Sequence, residues 1–177
     1  MPPERASSTF VASRPPVAAA VHTLVIGCGN PLCGDDAVGP TLVARLLDRG
    51  LPPGMRCVDC GTAGMDVALE MRGCEEVVIV DACRSGGEPG TLFEVPAEDF
   101  ARLPSPRVDI HAFRWDHAVA CARWINAAEQ PRRIVAFLVE GRSFAVGERL
   151  SPEVDRAVDH LADHLIERLL ASYGPRE

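Results

Sequence analysis

No block of lysine and arginine interrupts this chain, whose formal net charge is -7 and pI near 5.2. A nucleic-acid or anionic-membrane surface therefore lacks its electrostatic basis. Apolar stretches of the roughly 20 residues that a spanning helix needs are missing too; the longest have the length of strands. The first twenty residues hold four prolines and no continuous apolar segment, so residues 1–20 read as a flexible tail and not as a signal peptide. A cytoplasmic location follows. Seven cysteines, an odd number, are scattered through a chain of ordinary core size, which fits free thiols in a reducing compartment better than a disulfide framework.

Several catalytic signatures are incomplete. Gly27 and Gly29 follow an apolar run, but Leu32 stands where a dinucleotide fingerprint needs its third glycine. Asp59 lies 32 residues after Gly27, too far for the ribose-binding acid, and Asp35 and Asp36 would repel a pyrophosphate. Cys57 and Cys60 have knuckle spacing without a second such pair, and Cys57 falls inside a strand pattern, so packing accounts for them better. His160 and His164 lack the glutamate of H-E-x-x-H and flank the apolar stripe Val154, Val158, Leu161, Leu165 and Leu169, as residues of a solvated helix face do. His117 is about 240 degrees round a helix from His111. No G-x-S-x-G elbow is present.

The 177 residues suffice for about one domain, and 47% hydrophobic with 24% charged residues is the balance of a globular chain. A β-branched run from Val21 to Ile26 predicts a first strand entering a glycine turn. Gly39 and Pro40 lead into a helix from Thr41 that Gly50 closes. Strand and helix then repeat over 55–59 and 65–72. The continuously apolar run Glu76 to Asp81 reads as a central strand covered on both faces. Further strands are predicted over 91–95 and 133–139, and helices over 111–128 and 151–172, the last with Ser151 as N-cap and Pro152 in first position. This alternation predicts a three-layer α/β/α domain over 21–172, with a twisted, mainly parallel sheet of about five strands and a short tail over 173–177.

In such a sheet the ligand crevice lies outside the carboxyl ends of the strands. Asp35 and Asp36 follow the first strand, Asp81 ends the central one, and His111 opens a helix after a long loop. Two carboxylates and an imidazole suit a first-row divalent ion such as nickel or zinc. Each has a plainer role available: Asp after a strand is a common turn or cap residue, and Asp35 with Asp36 can favour a helix N-terminus.

Four segments together, Val25-Ile-Gly-Cys-Gly-Asn-Pro-Leu-Cys-Gly-Asp-Asp-Ala-Val-Gly39, Asp59-Cys-Gly-Thr-Ala-Gly-Met65, Val80-Asp-Ala82 and Ile110-His-Ala-Phe113, resemble the hydrogenase maturation endopeptidases. That family removes a C-terminal extension from the large subunit of nickel-iron hydrogenases once nickel is in place. The resemblance implies one edge strand that can be antiparallel. It implies metal contact and catalysis by Asp36, Asp81 and His111, a flexible wall of Gly61, Thr62 and Gly64, and a first loop held by Asn30 side-chain bonds beside Asp35. Cys60 stands where the family often has glycine, and Asp109 where a small hydroxyl residue is frequent. The expected partner is a large-subunit precursor that contributes the nickel; zinc or another divalent ion can substitute in the isolated protein. Two alternatives stand beside this: a non-proteolytic docking protein for the nickel-loaded subunit, which needs the same docking surface, and a zinc-dependent hydrolase of small molecules, which predicts tight stoichiometric zinc in the isolated protein.

Overall fold

A computed structural model describes residues 22–96, 99, 119 and 129–173. The first strand, β1 (Thr23–Cys28), is buried at every position, as a parallel strand covered on both faces must be. A single 3-10 turn, Gly34–Ala37, leads from it into α1 (Val38–Arg49). Then come β2 (Met55–Gly61), α2 (Gly64–Glu70), β3 (Glu76–Cys83) and β4 (Leu92–Pro96). β5 (Arg133–Glu140) and α3 (Pro152–Tyr173) complete the described chain. Of the expected helix over 111–128 only Val119, helical and buried, is among the described residues; the expected tail over 1–20 lies outside them.

The sheet order is β2-β1-β3-β5-β4. The first four of these run parallel and β4 pairs antiparallel with β5, so the antiparallel edge strand is present. β4 alternates exposed and half-buried residues and ends in Pro96, a composition that suits an edge.

Side-chain alternation sorts the core into two layers. Val25, Val78 and Val80 meet Leu42 and Leu46 of α1 and the α3 residues Val154, Val158, Leu161, Leu165 and Leu169 on one face. Leu24, Ile26, Val77 and Ile79 meet Val67 and Ala68 of α2 on the other. The predicted α3 stripe is thus the buried one, and His160 and His164 are exposed. On the outer side of the α1–α3 seam, Arg45 pairs with Asp155 at 2.5 Å and Asp159 at 3.3 Å, and Arg49 with Asp159 at 2.8 Å and Asp163 at 3.1 Å. Cys57 packs toward α1 and α3, whereas Cys60 joins the α2 layer. The two thiols of the C-x-x-C spacing therefore lie on opposite faces of the sheet. None of the six described cysteines is joined in a disulfide.

Several boundaries differ from expectation for identifiable reasons. α1 starts at Val38, because proline at the third helical position removes only an amide that has no intrahelical partner. β3 continues two residues past Asp81 through its pairing with Leu138, Val139 and Glu140 of β5, so Asp81 lies within the strand and does not end it. α3 continues to Tyr173, one residue into the expected C-terminal tail. Among the described residues no helix is long and apolar enough to cross a membrane.

Candidate active site

The sheet order reverses between β1 and β3: β1 leads to β2 on one side, and β3 lies on the other. A crevice outside the carboxyl ends of these two strands is the expected consequence. There the structure has a cleft of about 610 Å³, lined by Asp36 and Asp81 together with Gly29, Gly61, Thr62 and Gly64. Four of the residues singled out as a site or its wall beside Asp36 thus meet at one place. His111 and Asp109 lie outside the described residues.

Glycine makes the convergence possible. Gly29 has φ +122°, and a Cβ there would lie 1.9 Å from the Asp36 carbonyl oxygen and 3.5 Å from Asp81 Oδ1. Only a residue without Cβ lets the first loop fold back so tightly over the end of β3. One step earlier, a Cβ on Gly39 would lie 2.2 Å from the Cys28 amide nitrogen, so the first turn of α1 presses directly on β1. The Gly29 amide donates to the Gly61 carbonyl at 2.9 Å, tying the glycine wall to the same loop. In the same loop Asn30 Oδ1 accepts from the Leu32 amide at 3.0 Å. Its own amide donates to Asp36 Oδ2 at 2.8 Å, which orients that carboxylate.

The neighbouring acids have different surroundings. Asp35 is fully buried and accepts from the amides of Arg142 (2.7 Å), Ser143 (3.0 Å) and Ser151 (2.6 Å) and from the Ser151 hydroxyl (2.7 Å). Burial alone would raise its pKa; the Ser151 and Ser143 amides, the Ser151 hydroxyl and the Arg142 amide outweigh that and lower it. Asp35 thus fastens the first loop to the start of α3. It is not among the residues lining the cleft. Asp81 is 7% exposed and accepts from the Ala82 amide at 2.8 Å through one oxygen.

The sequence model of the hydrogenase maturation proteases matches residues 40–168 of this chain. The chain belongs to the hydrogenase maturation protease family. It is 27% identical over 154 residues to the hydrogenase 2 maturation protease of Escherichia coli, covering 86% of this chain and 90% of that one. A putative hydrogenase maturation protease of Methanocaldococcus jannaschii is 27% identical over 142 residues, 77% of this chain and 88% of its own. Among solved structures, the hydrogenase maturating endopeptidase HybD from Escherichia coli matches with a TM-score of 0.72 at 26% identity, over 86% of this chain and 94% of that chain. A hydrogenase 2 maturation peptidase from a Thaumarchaeota archaeon matches with a TM-score of 0.62 at 30% identity, over 84% and 97%. The protein is therefore a peptidase of the α/β type built above.

Cys28 and Cys83 also line this cleft. The Cys83 thiol, however, is pushed up to about 12 by burial, by its bond to Glu140 and by the Glu140 and Asp81 charges. Cys60, beside the glycine wall, is likewise pushed up to about 12 by burial and the surrounding carboxylates. A protonated thiol is a poor nucleophile. Beside the Cys28 thiol, these walls offer two carboxylates that can bind a cation or handle a proton. Among the described residues no three His, Cys, Asp or Glu side chains converge in a metal-binding group.

Three contributors escaped the sequence reading. Glu140, 2% exposed at the end of β5, accepts from the Ser85 hydroxyl (2.7 Å) and amide (2.8 Å), the Gly86 amide (2.9 Å) and the Cys83 thiol (3.3 Å). The Ser85 hydroxyl and amide, followed by the Gly86 amide and Cys83 thiol, overcome burial and hold its pKa down at about 2. An acid closing an apolar strand was the signal available for it, the same signal that marked Asp81. Arg84 and Phe144 also line the cleft, with the guanidinium 4.5 Å from the ring centroid. Both sit in loops whose sequence carries no motif.

Proposed function

We propose that this peptidase removes the C-terminal extension of a nickel-iron hydrogenase large-subunit precursor after nickel insertion, with the nickel on the precursor as its recognition element. The observation that carries this reading is the pairing of Asp36 and Asp81 across one cleft at the switch point, beside a wall of Gly61, Thr62 and Gly64. Two carboxylates offer hard oxygen donors to a divalent ion, and His111 adds a borderline nitrogen donor. The small residues let a substrate backbone approach closely.

In this reading the nickel belongs to the substrate and docks the precursor so that the scissile peptide lies in the cleft. Asp36, Asp81 and His111 meet the metal, and a carboxylate of the pair takes the proton of the attacking water. Water adds to the carbonyl carbon, the C–N bond breaks, and the proton passes to the departing amine. Zinc or another divalent ion can occupy the same donors in the isolated protein.

Mass spectrometry of candidate large-subunit precursors, nickel-loaded and empty, tests this after incubation with the protein. Loss of the C-terminal extension from the loaded form alone is expected. Stable binding without cleavage, where another enzyme of the family cuts the same precursor, would overturn the proteolytic reading in favour of a docking role.

A further inference from the structure

The cleft does not end at its acidic wall. Arg84 and Phe144 line it together with Asp36 and Asp81, and the same two residues line a second, open groove of about 680 Å³ bounded by the 86–89 and 141–145 loops. Arg84 is an exposed cation three residues beyond Asp81, roughly 10 Å further along extended chain. Among the described residues its contact is the Phe144 ring at 4.5 Å, and no ion pair engages it.

Its placement is built, not incidental. Cys83 before it and Ser85 and Gly86 after it all bond to the buried Glu140 carboxylate, which fixes the backbone on both sides of Arg84. Phe144 is seated by the other buried acid. Asp35 holds the Arg142 and Ser143 amides, and the ring lies against Gly141, where a Cβ would come within 2.5 Å of it. Two saturated carboxylates thus position the two halves of one cation–ring pair. A guanidinium held over a ring loses little freedom on binding and keeps its forked donors for a carboxylate. In a chain of net charge -7, a fixed cation between the cleft and the groove is a local inversion of sign.

We propose that Arg84 is a specificity residue that binds an acidic side chain of the substrate polypeptide, where that polypeptide passes from the cleft into the second groove. This rests on the proteolytic reading above for its substrate, a large-subunit precursor. The site takes a carboxylate on a protein chain lying in extended form, with Phe144 as the apolar floor beneath it.

The test compares the wild type with Arg84→Lys, Arg84→Ala and Arg84→Glu on the nickel-loaded precursor, reading kcat, KM and the dissociation constant of the complex. Arg84→Glu should raise KM and the dissociation constant roughly tenfold or more, with kcat within about twofold; Arg84→Lys should fall between it and the wild type, because it keeps charge but not the fork. Precursors with each Asp or Glu near the cut changed singly to Lys should include one that restores tight binding to Arg84→Glu. Unchanged KM and dissociation constant in Arg84→Glu and Arg84→Ala would overturn the proposal while leaving the proteolytic reading intact. If the wild type binds but does not cut, the proteolytic reading fails and the dissociation constants still decide the role of Arg84. A wild type that neither binds nor cuts overturns both.

Discussion

Asp35 and Asp36 are neighbours in the chain and opposites in role. Asp35 is sealed in the interior, with four protein donors spread over its two oxygens. Asp36 accepts one loop amide and lines the cleft with Asp81. The same contrast recurs across the sheet: Glu140 at the end of β5 is saturated by Cys83, Ser85 and Gly86, while Asp81 on the adjacent β3 lines the cleft. Four carboxylates near one sheet edge therefore divide into two that fasten loops and two that line the cleft. It is the convergence of several backbone amides on Asp35 and Glu140, and not position after a strand, that marks these two as anchors.

Substitutions can break or sharpen that division. The largest effect is expected at Asp81 and Asp36: each Asn substitution should lower precursor processing by roughly a thousandfold, with a melting temperature close to that of the wild type. A processing assay paired with thermal unfolding reads both. Asp35→Ala should cost about 3 kcal/mol of stability, because it strands several buried donors at once. Urea unfolding measures this, and a loss under about 1 kcal/mol would mean that the anchor is not one.

Glu140 sharpens the comparison through pH. Its folded pKa is held at about 2 against an ordinary 4.5, so its contribution to stability is complete above about 4.5 and fades as pH falls toward 2. The stability difference between the wild type and Glu140→Gln should shrink across that window, and a difference that stays constant from pH 5 to 2 would contradict the assignment. The smallest effect belongs to the solvated seam between α1 and α3. Arg45→Ala removes half-buried ion pairs with Asp155 and Asp159 and should cost about 1 kcal/mol, with processing unchanged.

Much of this was legible in the chain. The alternation of apolar runs and glycine turns predicted the layered fold, and the Val154-to-Leu169 spacing predicted the buried face of α3. The strand-end rule placed Asp36 and Asp81 at one crevice, and the quoted segments carried the family. What stayed hidden depends on loops that meet only in three dimensions. Nothing in the sequence says that Asp35 faces Ser143 and Ser151, 108 and 116 residues away. Nor does it say that Arg84 lies over Phe144, since each sits in an irregular loop without periodicity. Glu140 was overlooked although it obeys the rule that found Asp81, because no motif surrounds it.

The most direct test of the account sets Asp35→Asn beside Asp36→Asn, measuring melting temperature and nickel-loaded precursor processing for each at a temperature where both are folded. The account predicts that Asp36→Asn melts like the wild type and fails to process, while Asp35→Asn melts several degrees lower and still processes. The reverse pattern, an inactive but stable Asp35 variant and an active but unstable Asp36 variant, would contradict it.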